Sequence, residues 1–155
     1  VNNPLNSALF KAACGVFEEL TFMLASRELD EVQSAAPFDL AGAVEFQGPM
    51  NGTLLVGLYG PLIASIAGNM LGEMELPTED QQKDAMKELT NILCGNLMPQ
   101  LAGNEAVFKI GVPRVLDSSE LQKEIQGGTQ SDLQIGLEQG RVALYLILPQ
   151  NNSRS

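Results

Sequence analysis

Residues 87–96 read Lys87-Glu88-Leu89-Thr90-Asn91-Ile92-Leu93-Cys94-Gly95-Asn96, and their periodicity sets the element around which the chain is organised. Met86, Leu89, Leu93 and Leu97 recur at intervals of three and four, the mark of one apolar stripe on an α-helix. Upstream, Thr78 with Gln81 has the spacing of a capping box, and Glu79 and Asp80 suit the positive end of the helix dipole. A helix is therefore predicted from Thr78 to about Met98, where Pro99 kinks or ends it. At about 100° per residue, Glu88 and Asn91 lie about 60° apart, one turn from each other. Gly95 falls between them in angle and Asp84 on the same stripe, away from the apolar side. Asparagine and glycine are poor helix formers, and glycine leaves room for another molecule to come close. Taken alone, Glu-x-x-Asn is also what a solvated helix face looks like.

An echo of this stretch lies near the N-terminus. Glu19-Leu20-Thr21-Phe22-Met23-Leu24 aligns with Glu88-Leu89-Thr90-Asn91-Ile92-Leu93. Apolar residues at Leu9, Ala13, Val16, Leu20 and Met23 place it on a first helix, predicted over residues 5–31 and opened by Asn3-Pro4. Strand patterns at 40–46 and 53–59 flank the turn residues Gly48-Pro49-Met50-Asn51-Gly52, which predicts an antiparallel hairpin. A short apolar helix over 62–71 is closed by Gly72. Three more strands are predicted at 106–115, 131–137 and 141–148, with Gly127-Gly128 in a polar insert and Gln139-Gly140 as a tight connection. Each long helix is followed by strands whose second member starts on glycine, Gly52 and Gly140. The expectation is an α+β fold: an antiparallel sheet with helices on one face and a pseudo-twofold internal repeat. One domain is expected over residues 1–150, with a frayed polar tail at 151–155.

Composition narrows the chemistry. Nine Lys+Arg against 19 Asp+Glu leave a net charge of −10, with a pI of 4.3 and no basic stripe, which argues against nucleic acid as a partner. The 155 residues include no histidine, which removes Ser-His-Asp triads, Cys-His dyads and His-ligated zinc. Cys14 and Cys94 are far apart, belong to no CxxC motif and read as reduced apolar residues. No carboxylates repeat at metal-ligand spacing except the acidic run 73–84, which reads as a linker and capped helix start, so no metal site is expected. A Gly-rich phosphate loop is missing as well. The N-terminal residues do not resemble a signal peptide, and the apolar runs 62–71 and 142–148 are too short to cross a bilayer, so no membrane contact and a cytoplasmic location are expected.

The longer string 87–96 resembles the Glu-x-x-Asn-x-x-x-Gly-Asn signature of the CheC/CheX/FliY family of chemotaxis phosphatases. The chain length and order of elements are similar to that family over nearly the whole chain, which implies a CheC-like fold. The first copy departs from the signature, with Phe22 at the asparagine position and Ser26-Arg27 where Gly-Asn would stand. One intact motif is most similar to the CheX branch. The resemblance implies hydrolysis of the aspartyl-phosphate of a CheY-type response regulator. It implies that the Asn91 amide orients the attacking water and that Glu88 pairs with a lysine of the regulator. Asp84, Lys87 and Gly95 would then flank the docking face, and the Mg²⁺ would belong to the regulator, with no cofactor held by this chain. Asn96 is expected to play a structural part, holding a neighbouring loop. Phe22 is either an exposed partner contact or packed against a neighbouring element. The resemblance also implies a homodimer through the sheet, and the strand 142–148, apolar on both faces, has the pattern of a covered or shared central strand. The alternative to an enzyme is a binding module of the same fold that docks a receiver or another flagellar or signalling protein without hydrolysis.

Overall fold

The computed structural model describes residues 4–72 and 75–149. The chain runs α1 (Pro4–Thr21), β1 (Ala25–Ser26), α2 (Glu31–Ser34), β2 (Phe38–Gln47), β3 (Gly52–Tyr59), α3 (Ile63–Leu71) and α4 (Glu79–Ala102). It continues through β4 (Lys109–Ile110), β5 (Arg114–Leu116), α5 (Ser118–Gln126), β6 (Ser131–Leu137) and β7 (Gly140–Ile147). The strands form one antiparallel sheet in the order β1-β6-β7-β3-β2-β4, with β5 also on β2. β3 and β7, the second strands of the two hairpins, lie side by side at its centre.

Alternation along the strands explains the layers. Val44, Phe46, Leu54, Val56, Leu58, Val142, Leu144 and Leu146 share one face and bury against α1, α3 and α4. Ala41, Ala43 and Leu55 point the other way and are covered by Leu121 of α5. The long helices therefore occupy one face, as predicted, and a short helix lies on the other. β7 is central, so both of its edges are paired within the chain, while its second face carries Ala143, buried, and Tyr145 and Ile147, half-buried on the α5 side.

Several boundaries differ from expectation for local reasons. The first helix ends at Thr21, ten residues early. The Thr21 hydroxyl donates to Phe17 O at 2.6 Å and accepts from Met23 N at 3.1 Å, while Phe22 takes a left-handed φ of 61°. Residues 25–26 then pair with β6, and Asp30 with Gln33 forms a capping box that starts the short α2. The predicted strand 106–115 is split into β4 and β5, and the polar insert after it holds α5. α5 is opened by a reciprocal Asp117–Glu120 capping box, whose spacing is present in the sequence. α4 carries Pro99 inside it and runs on to Ala102. The proposed Asn3 cap and the tail 151–155 lie outside the described residues.

Candidate functional site

α4 begins where Thr78 and Gln81 satisfy each other's backbone N–H groups at 3.1 and 2.9 Å, the capping box expected there. Its buried side comprises Ala85, Met86, Leu89, Thr90, Leu93, Cys94, Leu97 and Met98. The opposite side leaves Asp84, Lys87, Glu88, Asn91, Gly95 and Asn96 exposed, so all six site residues placed on this helix share its solvent side. Among the described residues, Asp84, Lys87, Glu88 and Asn91 make no side-chain hydrogen bond or ion pair with the rest of the chain. Lys83, one turn upstream, is held at 3.8 Å by Glu79.

Gly95 has nothing within 4 Å of the place where a Cβ would stand. Internal packing therefore does not require glycine at 95, and the residue leaves a bare patch of helix backbone next to Asn91. A primary amide beside such a patch can donate to one oxygen and accept from another, enough to hold a water in a fixed direction without proton transfer. Asn96 does not reach a neighbouring loop. Its Nδ2 donates at 2.8 Å to Ile92 O in its own helix, the i−4 carbonyl within reach of a short amide side chain.

Phe22 lies outside α1. It follows the last residue of α1 and is 84% exposed, so it is not packed against any neighbouring element. Leu24 is exposed beside it in sequence, at 83%. The sulfhydryls are free thiols: burial pushes Cys94 up to about 12, and burial, then the nearby Glu18, raises Cys14 against the opposing pull of Arg27. Both shifts oppose a thiolate nucleophile. Among the described residues, no group of three carboxylates or thiols stands close enough to hold a metal ion. No helix among them is long and apolar enough to cross a membrane.

Linear reasoning missed the seat of α4. Gly42 of β2 faces this helix, where an added Cβ would stand 2.2 Å from Thr90 Oγ1 and 3.3 Å from Met86 Cε. An isolated glycine inside a strand pattern is the one sequence cue to such a close approach.

Comparison with known proteins identifies the family and the fold. A family model described as chemotaxis phosphatase CheX matches residues 40–134. Among solved structures, the fold is similar to the chemotaxis protein CheX from Desulfovibrio desulfuricans, at 17% identity and a TM-score of 0.70 over 94% of this chain and 99% of that one. CheX from Vibrio vulnificus is similar at 17% identity and a TM-score of 0.67, over 96% and 100% of the two chains. A third, from the CheX–CheY–BeF3–Mg²⁺ complex of Borrelia burgdorferi, has 14% identity and a TM-score of 0.62, over 93% and 97%. No curated protein sequence matches this chain.

Proposed function

Because the chain belongs to the CheX family of chemotaxis phosphatases, we propose that it hydrolyses the aspartyl-phosphate of a CheY-type response regulator, using the exposed stripe of α4. The observation that carries this reading is the free Glu88–Asn91 pair beside a glycine that no internal contact requires. A CheX neighbour from Borrelia burgdorferi in complex with CheY and Mg²⁺ supports a receiver as the partner.

In this mechanism the side-chain amide of Asn91 enters the regulator's site and orients a water in line with the phosphorus. An acyl phosphate is already a reactive species, so positioning and charge stabilisation suffice, and a chain without histidine can supply the first. Magnesium is the regulator's own ion, and this chain adds no cofactor. Glu88 pairs with a lysine of the regulator and keeps the two proteins in register. Lys87 and Asp84 flank that contact, and Gly95 lets the regulator's backbone come close. Asn96 stays structural, bonded to its own helix. Phe22, exposed at the end of α1, offers an apolar contact to a partner.

The protein acts as a homodimer in the cytoplasm. The support for pairing is the edge of β6, where β1 covers Gly136 and Leu137 and no strand among the described residues pairs with residues 131–135 on that side.

The test follows phosphate loss from a radiolabelled CheY-type regulator with wild type and Asn91→Ala. Wild type accelerates the loss, and Asn91→Ala abolishes the acceleration while still binding the regulator. Glu88→Ala weakens docking instead. Equal decay with and without wild type refutes the phosphatase, and stable capture of the regulator in that case selects the binding-module reading. A monomer by sedimentation at high micromolar concentration refutes the dimer.

A further inference from the structure

The contact between Gly42 and Thr90 sits directly beneath the proposed site. Thr90 is the residue between Leu89 and Asn91, is fully buried and donates its hydroxyl to Met86 O at 2.7 Å. Gly42 faces it from β2, between Ala41 and Ala43, whose side chains point to the opposite face of the sheet. Any Cβ at 42 would overlap Thr90 Oγ1 at 2.2 Å and crowd Thr90 Cβ at 3.3 Å. β2 cannot yield easily, because it is paired with β3 along its length and with β5 at Ala41, Gly42 and Ala43. The back-bonded hydroxyl cannot yield without breaking its bond to Met86 O. The height and rotation of α4 at residue 90 are therefore set by the absence of a side chain at residue 42.

We infer that Gly42 and Thr90 form a positioning pair that sets Asn91 at the depth its amide needs for the hydrolysis proposed above. The inference rests on that functional reading. A methyl at 42 must lift or turn α4 by roughly 1 Å to restore ordinary contact, and a shift of that size is enough to cost a positioned step about 10²-fold. Glu88 tolerates the same shift better, because an exposed ion pair on a flexible side chain has a shallow dependence on distance. The chemical step should suffer more than docking.

The experiment compares Gly42→Ala, Thr90→Ala and the double variant in full-length protein, with phosphorylated regulator as substrate and Asn91→Ala as reference. Gly42→Ala is expected to lower kcat by about 10- to 100-fold while KM moves less than about threefold. In the double variant, loss of the Thr90 hydroxyl and methyl makes room for the new Cβ. Its kcat should return to within about threefold of Thr90→Ala alone. If Gly42→Ala fails to fold, that last comparison decides the matter. Wild-type kcat in Gly42→Ala beside an inactive Asn91→Ala overturns the positioning pair and leaves the phosphatase standing. A double variant no better than the single overturns it too. Unaltered rates in every variant, Asn91→Ala included, overturn both.

Discussion

The triplet Glu-Leu-Thr occurs in both long helices, and the chain folds it alike until the threonine. Thr21 and Thr90 are both buried, and each donates its hydroxyl to the carbonyl four residues back, Phe17 O at 2.6 Å and Met86 O at 2.7 Å. The next residue separates the two. After Thr21 the helix stops: Phe22 turns left-handed at φ 61°, its N–H bonded to Glu18 O at 3.0 Å, and Ala25 N is caught by Glu18 Oε2 at 3.0 Å. After Thr90 the helix continues through Ala102, carrying Asn91 and, one turn on, Gly95 on its open side. The threonine is thus a packing device shared by both helices. A face able to present an amide needs the helix to persist for a further turn, and only α4 does so.

Putting the residue of α1 into α4 should break the comparison most sharply. Asn91→Phe is expected to reduce regulator dephosphorylation by about 10²-fold or more, with thermal unfolding close to wild type because position 91 is exposed. Single-turnover phosphate release and a melting curve check the two halves of that statement. The next largest effect concerns the threonines. Thr21 serves two backbone groups and Thr90 one, so Thr21→Val should cost about 1–2 kcal/mol and Thr90→Val under about 1 kcal/mol in urea unfolding.

The cysteines sharpen the contrast further, since Cys14 lies on α1 and Cys94 on α4. Burial raises the folded Cys94 to about 12 from 9.0, so the unfolded chain gives up this proton first as pH rises. Its contribution to stability is therefore complete below about pH 9 and declines toward 12, by roughly 1.4 kcal/mol per pH unit. Cys94→Ala should remove that increment from the alkaline slope, whatever it does to stability at neutral pH. A thiol reagent should modify Cys14 well before Cys94 in the folded protein, because Cys14 is only partly buried.

The smallest effect is at Phe22. Asparagine tolerates the left-handed region better than phenylalanine, so Phe22→Asn should stabilise the fold by about 0.5–1 kcal/mol. In an Asn91→Ala background it should restore no phosphatase activity, because α1 ends before position 22.

Much of this architecture was legible in the chain. The Thr78–Gln81 cap, the hairpin of β2 and β3, Gly72 at the end of α3 and the strand 131–137 follow from short-range periodicity and turn chemistry, and the structure has them there. The same reasoning ran the first helix past Thr21, since apolar spacing continues through Met23 and Leu24 and says nothing about a hydroxyl folding back onto Phe17. It gives no helix at α5 either, a nine-residue element whose apolar stripe is only the pair Leu121 and Ile125.

The candidate site divides in the same way. Helical geometry alone puts Glu88, Asn91 and Gly95 on one stripe opposite the core, because neighbours on a helix are fixed by spacing in sequence. That Phe22 stands exposed and that Asn96 bonds its own helix had to come from the folded molecule. So did the seat of α4, where residue 42 decides the position of residue 90. Local hydrogen bonding and side-chain period operate over three or four residues and are written along the chain. The distance at which a helix rests on a sheet depends on which two side chains meet across it, and only the tertiary fold brings those together.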